Sequence, residues 1–247
     1  MDRPDYNDAT YDYTKYWNGR SYENNSETYA LAKLLPSKGV RILDAGGGFG
    51  RLIPTYKDKF TDIVILDKSI KILSQAEDRA KELKVTVTTF VGDVYNLSEV
   101  GQEAFDCVVM VRIAHHLDDL AKALAEVYKV LKPGGVFIFE FANKLHIKSV
   151  VKHLIKMDNG YFSHEPISVA SKNVMFFNFH PKYVSGLLEQ AGFKVTKKLS
   201  VSNFRSPFLK RYIPEGLLNM TENLAQEPLA RFNFGPSLFY RCVKASA

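Results

Sequence analysis

The stretch that most constrains this chain is Val40 to Leu52, VRILDAGGGFGRL. A short apolar run (Val40, Ile42, Leu43) stops at Asp44. Gly46, Gly47 and Gly48 follow, then Gly50, then a helix-compatible run from Arg51. An apolar run that ends in glycines reads as a buried strand turning into a helix. Glycine permits the sharp turn and lets a ligand approach the backbone where a Cβ would clash. The helix N-terminus beyond it offers unpaired N–H groups. The pattern predicts a loop that holds a cofactor, and most of the chain can be placed around it.

At 247 residues the chain fits one large domain, and 46% hydrophobic residues is ordinary for a globular protein and too many for disorder. No stretch reaches the apolar length needed to span a bilayer. The N-terminus, MDRPDYNDATYDYTKYW, is acidic and aromatic and lacks a signal-peptide pattern. Cys107 and Cys242 fit no metal spacing or disulfide framework and read as buried thiols of a cytoplasmic protein. The net charge of +6 is uneven: 18 Lys and Arg against 21 Asp and Glu through residue 143, then 15 against 6. The basic half suits an acidic or phosphorylated substrate or a membrane surface, and equally a solvated face with no partner.

Along the chain, Asn25 to Leu35 reads as a helix ending before Pro36. Apparent strands at 40–45, 61–66, 85–91, 105–111 and 136–141 alternate with helices at 51–59, 69–83 and 118–131. That alternation predicts a parallel sheet with helices on both faces. Ligands in such sheets sit beyond the carboxyl ends of the strands. Asp44, Gly46, Asp67, Asp93 and Arg112 all stand at those ends.

ILDAGGGFG, ILDKS, VGDVYNL, FDCVVMVRIAHHL and LKPGGVFIFEF, in this order from Arg41 to Phe141, resemble a class I S-adenosylmethionine-dependent methyltransferase of the small-molecule, methyltransferase-11-like type. The resemblance implies an α/β Rossmann-like fold: a seven-stranded, mostly parallel sheet in the order 3-2-1-4-5-7-6. The dinucleotide alternative requires G-x-G-x-x-G, and its third glycine would fall on Arg51.

The cofactor-binding candidates are Asp44, Gly46, Gly47, Gly48, Gly50, Asp67, Lys68, Asp93, Val94 and Arg112, with Tyr16, Arg20 and Tyr22 from the N-terminal segment. Gly46 and Gly48 would admit the methionine moiety of S-adenosyl-L-methionine. Asp44 would position the loop or receive the amino group. Asp67, 21 residues past Gly46, could accept both ribose hydroxyls, and Asp93 the adenine amino group, with Val94 on the ring. Tyr13, Tyr16 or Tyr22 could line the sulfonium by cation–π contact, or belong to a lid that never touches it. Arg20 could bind the cofactor carboxylate. His115, His116 and Arg112 are the candidate catalytic residues. One histidine could act as a base or hydrogen bonder, or both could cap the loop, and adjacent histidines are expected to point apart. Glu140, Asn143 and Lys144 end the fifth strand within reach of a substrate. No metal cluster is visible, His164, Glu165 and His180 being scattered.

One domain spans 1–247: a lid at 1–36, a cofactor core at 37–143, and insertions at 144–180 and 203–236 that cover the substrate as a partly helical cap. Lys144 to Met157 reads as an amphipathic helix with lysines every four residues, able to rest on anionic lipid, to bind an acidic substrate, or simply to face water. A possible strand at 174–179, a helix at 181–191, a sixth strand at 193–201 and a closing strand at 237–244 complete the chain. The expected function is in-line methyl transfer to a small acceptor, hydrophobic or anionic, leaving S-adenosyl-L-homocysteine. An RNA or protein methyltransferase and a non-catalytic cofactor-binding scaffold are the alternatives. No specific nucleic acid is expected, and the apolar insertions could also form a homodimer.

Overall fold

The structure is a computed structural model that describes residues 13–171 and 174–245. A short 3-10 turn, Tyr13–Trp17, leads into α1 (Ser21–Leu34), and then β1 (Gly39–Ala45) enters the sheet. The core continues through α2 (Ile53–Tyr56), β2 (Phe60–Asp67), α3 (Ile70–Glu82), β3 (Thr88–Val91), β4 (Phe105–Met110), α4 (Leu120–Val130) and β5 (Leu131–Ala142). Then come α5 (Ile147–Ile155), β6 (Ile167–Ser171), β7 (Val174–Asn178), α6 (Pro181–Gln190) and β8 (Phe193–Val201). α7 (Pro207–Tyr212), α8 (Glu215–Ala230) and β9 (Ser237–Lys244) finish it.

Seven strands form one sheet in the order β3-β2-β1-β4-β5-β9-β8. β6 and β7 pair only with each other, so the seven sheet strands counted alone run 3-2-1-4-5-7-6. The first five are parallel and β9 runs antiparallel between β5 and β8. β1, β2, β4 and β5 are apolar nearly without interruption because helices cover both faces of the sheet. One face packs Leu43, Val64, Val108 and Phe137 against α4 and α6; the other packs Ile42, Ile65, Val109 and Ile138 against α1 and α3. Ser69 and Asp119 cap α3 and α4 through their side-chain oxygens. Among the described residues no helix is long and apolar enough to cross a membrane.

Several boundaries depart from the sequence reading. The first helix starts at Ser21, not Asn25, because Tyr22 and Ser26 are buried and continue its packed side. The helix after the glycine loop shrinks to Ile53–Tyr56. Pro54, which has no N–H to give, stands in its first turn, and Lys59 N–H donates to Tyr56 O to close it. The third strand begins at Thr88 rather than Val85, where pairing with Val64 of β2 starts. β6 was not anticipated: it joins β7 in a separate hairpin over the carboxyl edge, where β7 meets the turn after β4.

Candidate functional site

The glycine loop crosses the carboxyl ends of β1 and β2. Gly46 and Gly47 N–H both donate to Leu66 O, at 2.7 and 3.1 Å, so the turn is hung from the end of β2. Gly46 (φ +75°) has no room for a side chain: a Cβ there would lie 2.2 Å from Ile113 Cδ1. Gly48 (φ +55°) is different. A Cβ on it would make only ordinary contact with Ile72, at 3.7 Å, so this position needs glycine for its backbone angle and not for lack of room.

Asp67 links loop and strand. Its Oδ2 accepts from Gly48 N–H at 3.1 Å and its Oδ1 from Ser69 N–H at 3.0 Å. Burial raises its pKa, and the backbone donors and Lys68 work against that. Each oxygen keeps a further lone pair for a hydroxyl donor. Asp93 stands at the tip of β3, its Oδ1 on Tyr95 N–H and its Oδ2 paired with Lys68 Nζ at 2.8 Å. Lys68 therefore spans two acidic strand ends. Val94 packs inward and is 5% exposed.

Asp44 lies behind the loop. It is buried and accepts the Tyr56 hydroxyl at 2.9 Å, and a Cβ on Gly47 would meet its Cγ at 2.8 Å. Of its two expected roles, this geometry is that of shaping the loop. Burial pushes its carboxyl up to about 6, with Tyr56 and Arg51 opposing and Asp67 adding.

The roof is built by a network that the sequence did not suggest. Glu27 of α1, almost fully buried, binds Arg51 Nη2 at 2.5 Å and Arg112 Nη1 at 3.3 Å. Arg51 also reaches Asn24 Oδ1 at 2.9 Å and stacks on Trp17, 3.9 Å from the ring centroid. Tyr16 accepts from Arg112 Nη2 at 2.6 Å and from Arg20 Nη1 at 3.3 Å, and both guanidinium groups lie over its ring. The segment around Tyr16 and Trp17 is thus pinned between the glycine loop and the end of β4. The indole Nε1–H of Trp17 is buried and has no hydrogen-bond partner among the described residues. Tyr6 and Tyr11 lie outside the described residues.

Arg112 carries strain: it sits at φ +63°, and its N–H donates to Glu140 Oε2 at 2.7 Å. Glu140 accepts Ser237 Oγ–H through its other oxygen at 2.5 Å. Its pKa is raised, first by burial and then by Glu27.

Other expectations need correction. Tyr22 does not line the loop. It is buried and its hydroxyl donates to Glu222 of α8 at 2.6 Å while accepting Phe204 N–H at 2.9 Å. His115 and His116 do not point apart: their ring centroids are 4.1 Å apart, and both rings touch Phe176 of β7. Burial, His116 and Arg112 push the His115 pKa well below the usual imidazole range. Asn143 and Lys144 turn away from any substrate. Asn143 Nδ2–H donates to Asn233 and Gly235 carbonyls, and Lys144 Nζ to those of Ser163 and Glu165. They bind the two insertions to the end of β5, because a buried ammonium needs carbonyl partners. His164 and His180, expected to be scattered, lie against each other with centroids 4.5 Å apart and their planes tilted by 38°.

The site therefore offers a glycine turn, two acidic strand ends and an aromatic, cationic roof holding an indole N–H with no partner among the described residues. This donor set fits a ligand with vicinal hydroxyls, an amine and a carboxylate, as S-adenosylmethionine has.

Comparison with known proteins agrees. Residues 43–139 match the family described as Methyltransferase domain. A Vibrio cholerae protein named ubiquinone/menaquinone biosynthesis C-methyltransferase is 26% identical over 64% of this chain and 65% of its own length. A Clavispora lusitaniae sterol 24-C-methyltransferase is 27% identical over 68% of this chain and 49% of its own. The chain spans about half the length of the curated relatives it matches first. The crystal structure of an S-adenosylmethionine-dependent methyltransferase from Clostridium acetobutylicum superposes with a TM-score of 0.59 at 16% identity, covering 95% of this chain and 96% of that one. Residues 43–139 thus match a methyltransferase domain, and the fold is the one seen in S-adenosylmethionine-dependent methyltransferases.

Proposed function

We propose that this protein transfers a methyl group to a small, lipophilic or anionic acceptor. The observation that carries this reading is Asp67, half-buried at the tip of β2 and tied to the turn at Gly48. It would accept the two ribose hydroxyls, with Asp93 at the adenine end. Trp17 Nε1–H and the guanidinium groups of Arg20 and Arg112 would meet the carboxylate.

The bound cofactor supplies a methyl group already activated on a sulfonium, so the chain has mainly to position and to exclude water. Tyr16 and Trp17 roof the loop, and Glu27 holds that roof down through Arg51 and Arg112. Glu140 fixes Arg112 by accepting its backbone N–H. His115, held neutral beside His116, shapes the acceptor side rather than serving as a strong base. The named sterol and quinone relatives favour a lipophilic acceptor. Phe208, Leu217, Met220 and Leu224, apolar and exposed on the second insertion, support the same choice.

The test is incubation of the protein with methyl-labelled S-adenosylmethionine and, separately, aqueous and organic extracts of cells. Label entering a small component of the organic extract is expected. Label entering only RNA or protein would replace this reading, and binding of cofactor without any transfer would favour the scaffold.

A further inference from the structure

Helix α5 buries none of its residues. It is held by a polar side: His153 stacks on Tyr161 with centroids 3.6 Å apart and binds Asp158 at 2.8 Å, and Ser149 bonds His146 at 2.7 Å. On a 3.6-residue period, Ile147, Val151, Leu154 and Ile155 lie on the side away from Ser149 and His153. That apolar side faces water. Val151 is 46% exposed, Leu154 60% and Ile155 77%, with Met157 at 86% just past the helix end. A surface helix ordinarily does the reverse and buries its apolar stripe.

Lys148, Lys152 and Lys156 occupy the remaining side, and no Asp or Glu occurs between residues 143 and 157. Lys144, which the sequence placed in the same row, is withdrawn into the interior. The exposed surface is thus an apolar strip rimmed by three ammonium groups.

We propose that α5 is a docking surface for an anionic lipid bilayer. Its apolar strip enters the headgroup boundary and its lysines meet lipid phosphates. A second copy of this chain is the poorer occupant, since a twofold contact through this side sets lysine against lysine. The position of the helix gives docking a purpose. α5 follows the carboxyl end of β5, the edge of the sheet that also carries the glycine loop and Arg112. α7 follows Arg205 with Phe208 and Tyr212 exposed beside each other. Docking through α5 sets the mouth of the site against the bilayer, where a lipophilic acceptor resides. That consequence rests on the proposed function; docking itself does not.

The experiment is sedimentation of the full chain with vesicles of phosphatidylcholine alone and of phosphatidylcholine mixed with phosphatidylglycerol, at low and high salt. Partition into the mixed vesicles, weakened by salt, is expected. Joint substitution Lys148→Ala, Lys152→Ala and Lys156→Ala lowers partition by about a hundredfold, roughly fivefold per lysine. Leu154→Asp with Ile155→Asp abolishes it, and because both residues are exposed the far-UV spectrum and cofactor affinity stay unchanged. Absence of partition, or partition that both variants retain, overturns the proposal. So does a dimer on size exclusion that Leu154→Asp with Ile155→Asp dissolves, or retention of the wild type by an acidic peptide but not by vesicles. The readout needs no cofactor and no turnover, so its failure is separate from failure of the methyl-transfer reading.

Discussion

Asp44→Asn is expected to stabilise this protein at neutral and alkaline pH, and to do so progressively less as the pH falls. The carboxyl is 1% exposed, and burial raises it to about 6 against the restraint of Tyr56 and Arg51. In the unfolded chain it titrates near its ordinary value of about 3.9. The native state therefore binds this proton more tightly than the unfolded one. The stability it contributes is complete below about pH 4 and is lost as the pH rises through about 6. The interval is about two pH units, and at about 1.4 kcal/mol each the loss is about 3 kcal/mol. Asparagine has the same shape and keeps an oxygen for the Tyr56 hydroxyl, but it does not titrate. The stability difference between variant and wild type should therefore grow by about 3 kcal/mol in favour of the variant between about pH 4 and about pH 7.5. Urea unfolding at a series of pH values, followed by far-UV dichroism and by the fluorescence of the lone tryptophan, Trp17, measures it. A difference that stays constant with pH would mean that Asp44 is solvated like a surface carboxylate, and the reasoning about the loop's foundation would fail.

Further expectations concern the roof, the loop and the histidines. Tyr22→Phe removes a donor from Glu222 and leaves Phe204 N–H unpaired, so denaturant melts should show a loss of about 2–4 kcal/mol; a loss below about 0.5 kcal/mol would refute the brace. Gly46→Ala drives a Cβ into Ile113, whereas Gly48→Ala makes only ordinary contact with Ile72 and costs about 1 kcal/mol of backbone strain. Gly46→Ala should therefore lower the melting temperature more, and an inverted order would contradict the loop geometry. His115 is held neutral across the working range, so His115→Asn should leave the shape of the pH–rate profile between about pH 6 and about pH 8 unchanged, even where the rate falls.

What the sequence showed, and what it hid, divides by range. The run from Val40 to Asp67 was legible because strand, glycine turn and next strand are neighbours in the chain. The strand-end positions of Asp67 and Asp93 followed from the alternation itself. The roof was not legible. Glu27 meets Arg112 across 85 positions and Tyr22 meets Glu222 across 200, and no local pattern encodes such pairings. Tyr22 looked like a wall residue because it is aromatic and near Tyr16, yet it sits on the buried side of α1. Lys144 continued a four-residue lysine row that the structure breaks, because the carbonyls of Ser163 and Glu165 draw its ammonium inward. α5 was recognised as amphipathic, but which side would face water depends on what His153 and Ser149 find to hold, and that is a tertiary fact.

The central claim is that the turn at Gly48 and the carboxylate of Asp67 hold S-adenosylmethionine. Calorimetric titration of wild type and Asp67→Asn with S-adenosylmethionine and S-adenosylhomocysteine tests it most directly. Asparagine keeps an oxygen for Gly48 N–H but gives up the charge, and with it about 2–3 kcal/mol from two charge-assisted bonds. The account predicts that wild type binds both ligands and that Asp67→Asn binds each about a hundredfold more weakly. Absence of binding to wild type, or equal affinity in the variant, would contradict it.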